Sequence, residues 1–481
     1  MKTEKDEMKA NRRHRIGYRL ILILLLLVSL AGTATAQLLP IPILPGPPGN
    51  STTGSSTASS STTANSTTGD SAPKRYIVRA TGGINVVQIL CSLIGCSLIE
   101  SLGDPLGQVF TIATSVVDDV LYGLLDLLGI VHIELDRLVS ILPPEPLITG
   151  STPAPAGLSD RNMVQFYGST VWNGYASQPA ANVVRANQAR DWFQVTGTAT
   201  IGIIDTGVDT NHPALVPVLV PGYDFTRNQA GSGSEIADLN QSTVAVVDGG
   251  ASPVVVNGST MAVLDQSTVA VVDQSGFAAF GHGTMVAGIV HLVAPTSSIM
   301  PLKAFRADGT GYTSDIIRAV YFATPQVSAL NMSFSMPNQS AELGNALDYT
   351  ASQSVVSVAA AGNDGAQVVV YPAGFQNDVM GVASTSLSET RSTFSNYGSD
   401  VWVAAPGEGI ISTYPFGTYA AGWGTSFSTP FVAGTVGLLT NLQPNLNEQA
   451  ASSYIAHADY IGYGLGHGEL DVVGALFAAS K

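Results

Sequence analysis

From about Leu158 to Lys481, short apolar runs alternate with longer runs of helical period, and this alternation restricts the fold more than any other feature of the chain. "TATIGIIDTG" reads as a buried strand ending at Asp205, "HGTMVAGIVHLV" as a helix opening at His282, "IMPLKAF" as a strand and "TSDIIRAVYFAT" as a helix. The order continues with "ALNMSFS" (strand), "SAELGNALDYTASQ" (helix) and "SVVSVAAAG", a strand ending at Asn363. Such text predicts an α/β domain built on a mostly parallel sheet, whose ligands lie at the carboxyl ends of strands. Asp205 and Asn363 stand at two of those ends. A last helical run, Thr425 to Thr440, is apolar and small. Pro430 is expected in its first turn, where a missing N–H is tolerated, and Gly434 and Gly437 would admit a close neighbour.

The segments ahead of this domain differ in kind. Residues 1–36 pair a basic start (Arg12, Arg13, Arg15, Arg19) with the apolar run "LILILLLLVSLA" and the small-x-small pattern Ala34-Thr35-Ala36, the pattern of an export signal cleaved after Ala36. The apolar run is short for a spanning helix, so cleavage is preferred over retention as an anchor, with no stable membrane association afterwards. Residues 37–73 are Pro-rich and then Ser/Thr/Gly-rich, a disordered linker. Residues 74–142 resume order as strand, helix, two strands around a Gly-Asp-Pro turn, a second helix ("VVDDVLYGLLDLLG") and a last strand ("IVHIELDRLV"). That order is the ferredoxin-like pattern. The Pro/Gly-rich stretch 143–157 reads as an exposed, cleavable connection leading into the large domain, 158–481.

Net charge is −15, with no basic stripe, which argues against a nucleic-acid partner. The two cysteines, Cys91 and Cys96, are too few for a metal site or a disulfide scaffold and are expected to be structural. Between Asp205 and His282 lies a long insertion, 226–280, in which "QSTVAVVD" occurs at 241–248 and 266–273, with the near-copy "GSTMAVLD" at 258–265. It reads as a duplication tolerated in a surface loop or, more sharply, as a small β-arm at the rim of the site.

Ser426 sits where the glycine-flanked turn "GWGT" enters the last helical run. A serine there is ordinarily a cap; chemistry needs partners. Acyl-group chemistry needs a hydroxyl, an imidazole to take its proton and a carboxylate to hold the imidazole's tautomer. "IGIIDTGVDTNHPAL" offers Asp205, "GHGTMVAGIV" His282 and "GTSFSTP" Ser426, and Asp-His-Ser is one of the three chain orders known for that geometry.

On these motifs the chain, from about 158 to 481, resembles the subtilisin-like serine proteases, the subtilases. The resemblance implies a subtilisin-like three-layer fold, secretion, and hydrolysis of protein or peptide substrates without a cofactor. It places Asp205, His282 and Ser426 in the triad, and Asn363 of "AAAGNDG" where the family's oxyanion-hole amide lies. The Asn363 side chain and the Ser426 backbone N–H could both donate to a developing oxyanion. "NMSFS", with Ser333, Phe334 and Ser335, matches the family's substrate-binding edge, and Ala360, Ala361 and Gly362 the facing wall of the first specificity pocket. Residues 74–142 are similar to the family's inhibitory propeptide, an intramolecular partner removed by self-cleavage.

Some positions depart from the family pattern. Met285 replaces a frequent second histidine, Ser335 and Met336 a glycine pair, and the 226–280 insertion is long. "HPAL" puts Ala214 where calcium-binding members carry a carboxylate, and "GIVHLVAP" lacks their inserted loop, so that calcium site is expected to be absent and no metal is assigned.

Three rival readings fare worse. Asp205-Thr206-Gly207 also fits an aspartic protease, but no second such motif exists in the chain for the required pair. The esterase elbow G-x-S-x-G fails at Ser428. A catalytically inactive secreted binding module on the same scaffold would ordinarily have lost a triad residue, and none is lost.

Overall fold

The computed structural model describes residues 73–116, 121, 129–142, 152–231, 233–239 and 277–481, and the backbone of short strands within 244–271. The expected signal, nearly all of the linker and most of the 143–157 connection lie outside the described residues.

Residues 74–135 build a four-stranded antiparallel sheet from β1 (Lys74–Ala80), β2 (Ser97–Ser101), β3 (Val109–Thr114) and β4 (Ile130–Leu135), in the order β2-β3-β1-β4. That is the ferredoxin-like order. Helix α1 (Ile84–Ile94) ends at Gly95 in the left-handed conformation, and Cys91 and Cys96 form a disulfide there. Of the expected second helix only Leu121 and its two end residues are described; Leu121 is helical and fully buried. The strand period separates two apolar faces. Tyr76, Val78 and Ala80 enter a small core with Val87, Leu90 and Ile112, whereas Ile77, on the other face, joins the core of the large domain.

The expected last strand of this unit is split. After β4 the chain turns at Asp136, and β5 (Leu138–Ser140) leaves the sheet to pair with the large domain. The cause is the Asp136 side chain, whose two oxygens are taken by Ser314 and Arg75.

In the large domain eight strands form a mostly parallel sheet. They are β6 (Thr200–Asp205), β7 (Tyr223–Asp224), β8 (Gln229–Ala230), β9 (Ser298–Lys303), β11 (Ala329–Met332), β12 (Val356–Ala360), β13 (Met380–Thr385) and β14 (Val403–Pro406). Their order is β8-β7-β9-β6-β11-β12-β13-β14, with only the β7–β8 hairpin antiparallel. The short β10 (Thr310–Tyr312) stands apart from it. Helices α2 (His282–Val293) and α5 (Thr425–Leu442) cover one face; α3 (Thr313–Ala323) and α4 (Ala341–Ser352) cover the other. Ile201 and Ile203 of β6 point into the first core and Ile204 into the second. Gly434 and Gly437 let α5 press against Val293 and Ala294, where an added Cβ would come within 2.6 Å and 3.0 Å.

One expectation about α5 is corrected. Pro430 is its sixth residue rather than part of its first turn, because the helix starts at Thr425, after the cap Gly424. In the inserted segment the identical Val-Ala-Val stretches of the two full repeats, 244–246 and 269–271, pair antiparallel with each other. Residues 262–264 add antiparallel to β16 (Thr418–Gly422), itself hairpinned with β15 (Ile410–Tyr414). Within 244–271, the strands 254–255 and 262–264 thus extend the hairpin that leads to Ser426 as a small β-arm, and 244–246 with 269–271 form a separate pair. Among the described residues, no helix is long and apolar enough to cross a membrane.

Candidate active site

Asp205 ends β6 and is buried. One of its carboxylate oxygens accepts from the following backbone N–H, that of Thr206, at 2.7 Å. His282 opens α2, and its Nδ1 lies 2.8 Å and 2.9 Å from the two Asp205 oxygens. The approach of α2 to β6 depends on Gly283, where a Cβ would fall 2.0 Å from the Gly207 carbonyl. With Nδ1–H donated to the carboxylate, the lone pair of the neutral ring sits on Nε2, which has no hydrogen-bond partner among the described residues. The ring also lies beside Phe427, with centroids 5.5 Å apart.

Ser426 is the second residue of α5 and is not a cap. Its hydroxyl donates to the Ser333 carbonyl at 2.9 Å, and Ser333 Oγ donates back to the Ser426 carbonyl at 2.8 Å. Position explains the second bond: Pro430, four residues on, has no N–H to offer the Ser426 carbonyl, and Ser333 takes its place. Asn363 Oδ1 accepts from the Thr425 N–H at 2.9 Å and from Thr425 Oγ1 at 3.0 Å. These two donors fix the amide's orientation and leave Nδ2 as the free donor. The Ser426 N–H is among those that a helix start leaves without an internal acceptor.

The expected pocket residues fall into place unevenly. Ser333 is fully buried and acts through its backbone and hydroxyl, and the Phe334 ring turns into the core against Phe305, centroids 5.0 Å apart. Ser335 is half-exposed and faces Gly362, which has φ 94°; a Cβ on Gly362 would lie 3.4 Å from Ser335 Oγ and from Val370 Cγ2. Ala360 and Ala361 are buried. Val370 and Asn396, which complete this corner, carry no sequence signal of their own.

Sequence reasoning also missed how the small unit reaches this site. β5 pairs antiparallel with β10, Val139 opposite Gly311, and the Ile141 N–H donates to the Gly309 carbonyl at 3.0 Å. On its other side β5 shares a cavity with Ser335, Pro337 and Asn338. Asp136 accepts from the Ser314 N–H at 2.9 Å at the start of α3; Glu134 accepts from the Ala341 N–H at 2.9 Å at the start of α4. Two carboxylates thus meet two helix N-termini, where negative charge is favoured. Arg79–Glu342 and Arg318–Glu100 ion pairs flank them. Burial raises the Glu100 carboxyl and, with Glu100 nearby, pushes Asp315 up to about 7.

Behind Asp205 lie two further buried ionisable groups. Lys303 is fully buried and donates to the Thr206 carbonyl (2.6 Å), the Phe305 carbonyl (2.8 Å) and Asp238 (2.8 Å). Glu235 is fully buried beside Thr206, and burial raises its carboxyl to about 8. Among the described residues, no group of three or more His, Cys, Asp or Glu side chains is placed to hold a metal. Ala214, at the position expected for a calcium ligand, is buried in the core.

Comparison with known proteins gives concordant results. The subtilase family matches residues 197–468. Thermitase of Thermoactinomyces vulgaris is 34% identical over 269 residues, 54% of this chain and 80% of thermitase. Subtilisin BL of Lederbergia lenta is 38% identical over 175 residues, 34% of this chain and 65% of the relative. The crystal structure of fervidolysin from Fervidobacterium pennivorans, a keratinolytic enzyme related to subtilisin, superposes with a TM-score of 0.63 at 21% identity, covering 84% of this chain and 61% of that one. At that identity the superposition speaks for the fold. This chain spans less than two thirds of subtilisin BL and of fervidolysin. The family match covers more than half of the chain and contains Asp205, His282, Asn363 and Ser426: the chain belongs to the subtilase family of serine endopeptidases.

Proposed function

We propose that the chain is a secreted serine endopeptidase, made as a precursor that processes itself and hydrolyses peptide bonds of proteins through an acyl-enzyme at Ser426. The observation that carries this reading is the His282 imidazole, held by both oxygens of Asp205 with Nε2 unengaged and its ring against that of Phe427, the residue after Ser426. In the reaction Ser426 Oγ leaves the Ser333 carbonyl, gives its proton to Nε2 and bonds to the substrate's carbonyl carbon. The oxyanion that forms takes hydrogen bonds from Asn363 Nδ2 and the Ser426 N–H. The imidazolium then returns the proton to the departing amine, and water repeats the sequence on the ester.

An extended substrate would add as a strand between β10 and Ser333–Ser335. In the precursor β5 holds that place, which supports residues 74–142 as an intramolecular inhibitor. Cutting within 143–157 would free the edge. N-terminal sequencing of the secreted protein tests this: a new N-terminus within or near 143–157, lost in Ser426→Ala, is expected. A Ser426→Ala precursor that still matures in a protease-free host would overturn self-processing.

A further inference from the structure

The triad's two rigid elements, the end of β6 and the start of α2, are joined by a residue that the reaction itself does not use. Glu235 lies on a single helical turn, Glu235–Asp238, inside the inserted segment, and is fully buried. One carboxylate oxygen accepts from the Gly281 N–H at 2.8 Å, immediately before His282, and approaches Thr206 Oγ1 at 3.3 Å, immediately after Asp205. The other accepts from the Thr284 hydroxyl, two residues after His282. Thr206 Oγ1 in turn accepts from the Gly283 N–H at 3.0 Å, and Thr284 Oγ1 accepts from the Asp209 N–H at 2.7 Å. The backbone around it leaves little room: a Cβ on Gly207 would sit 2.6 Å from the Gly233 carbonyl and 2.8 Å from the Glu235 nitrogen.

We propose that Glu235 is a positioning residue of the triad, a buried carboxyl group that fastens the His282 helix to the Asp205 strand and so sets the Asp205–His282 hydrogen bond. Two donors reach it from the start of the His282 helix, the Gly281 N–H and the Thr284 hydroxyl, and the Thr206 hydroxyl, with one proton to give, lies 3.3 Å both from Glu235 and from Asp205 Oδ1 and so bridges the two acids. A carboxyl group left without hydrogen-bond partners would be costly at such a depth, so the partners and the acid are mutually required. The charged and titratable groups around it are Asp205, the Lys303–Asp238 pair and Tyr414. The inserted segment, which lengthens the path from Asp205 to His282, thereby also supplies the brace across it.

This inference rests on the proteolytic reading of the site. The test uses the mature enzyme with kcat normalised to the Ser426 labelled by a fluorophosphonate, so that loss of folded protein does not count as loss of rate. Glu235→Ala is expected to lower kcat by about 10- to 100-fold with KM nearly unchanged, since small displacements of catalytic groups have effects of that size. The acid limb of the pH–rate profile should move to lower pH, because a loosened Asp205 supports the protonated imidazole less. In the Ser426→Ala background the downfield NMR resonance of His282 Nδ1–H should shift upfield or broaden. Glu235→Gln, which keeps the size and one acceptor oxygen, should fall between wild type and Glu235→Ala. Thr284→Val, which cuts one leg and leaves the acid in place, covers the case in which Glu235→Ala does not fold, and should lower kcat several-fold. Normalised kcat, acid limb and resonance all unchanged, with only thermal stability lowered, would overturn the proposal. Absence of fluorophosphonate labelling in the wild type would instead refute the proteolytic reading.

Discussion

His291 offers a quantitative test of how the core was built. It lies in α2, fully enclosed, with the Phe166 ring 5.4 Å away and the Arg190 guanidinium nearby donating to the Leu292 and Val293 carbonyls. Burial, with the Arg190 charge as a lesser contribution, pushes its imidazole down from 6.5 to about 4. The native state therefore keeps it neutral over a range where the unfolded chain binds a proton. Stability from this group is constant above about 6.5 and is lost as pH falls from there towards about 4, because in that window the unfolded chain binds a proton that the native state does not. The loss amounts to about 3 kcal/mol, which for a folding unit of this length corresponds to a Tm change of about 4 °C. The assay is calorimetry or circular dichroism on Ser426→Ala precursor, which avoids self-digestion, at pH 7 and pH 4.5, with and without His291→Leu. Leucine fills a similar volume and does not titrate, so its packing cost cancels between the two pH values. The His291 protein should lose a few degrees more than the leucine variant on acidification. Parallel losses in the two proteins would refute the reasoning.

Further expectations follow from the site. Asn363→Leu should lower kcat by about 10²- to 10³-fold with little change in KM, a size taken over from oxyanion-donor removal in subtilisins; an equal loss in KM would contradict the role given to Nδ2. Asp136→Ala removes an acceptor at the start of α3 worth about 1 kcal/mol or more, so the lag before peptide hydrolysis appears in freshly processed enzyme should shorten by about 5- to 10-fold, against an unchanged lag if the contact is incidental. Because Ala214 offers no carboxylate and α2 runs unbroken to Val293, the mature form's Tm and activity should change little when a strong chelator replaces excess calcium; a large fall reversed by calcium would point to the inserted segment.

The elements that carry the triad were legible in the sequence because their signals are local. α2 begins at His282 and ends at Val293 as its apolar period predicts, and β6 ends at Asp205 as a short apolar run stopped by Thr-Gly should. What was not legible depends on distant partners. The run "IVHIELDRLV" reads as one strand, but Asp136 is claimed by Ser314, 178 residues away, and the strand breaks there. Pro430 looked like a first-turn proline only because the start of α5 could not be located to within a few residues; its actual place exposes the Ser426 carbonyl that Ser333 then caps. Glu235 and Lys303 look like surface charges in a polar loop and at a strand end, and only the fold shows that both are buried beneath Asp205. The repeats could be seen but not their pairing, since three near-identical β-prone segments allow several registers.

The central claim is that Asp205, His282 and Ser426 work as one nucleophilic unit. Its most direct test is covalent labelling of the mature protein by a fluorophosphonate, with the modified residue identified by mass spectrometry. Labelling confined to Ser426, abolished by Ser426→Ala and slowed by orders of magnitude in His282→Ala, is the predicted result. Folded wild-type protein, freed of residues 74–142, that takes up no label at Ser426 would contradict it.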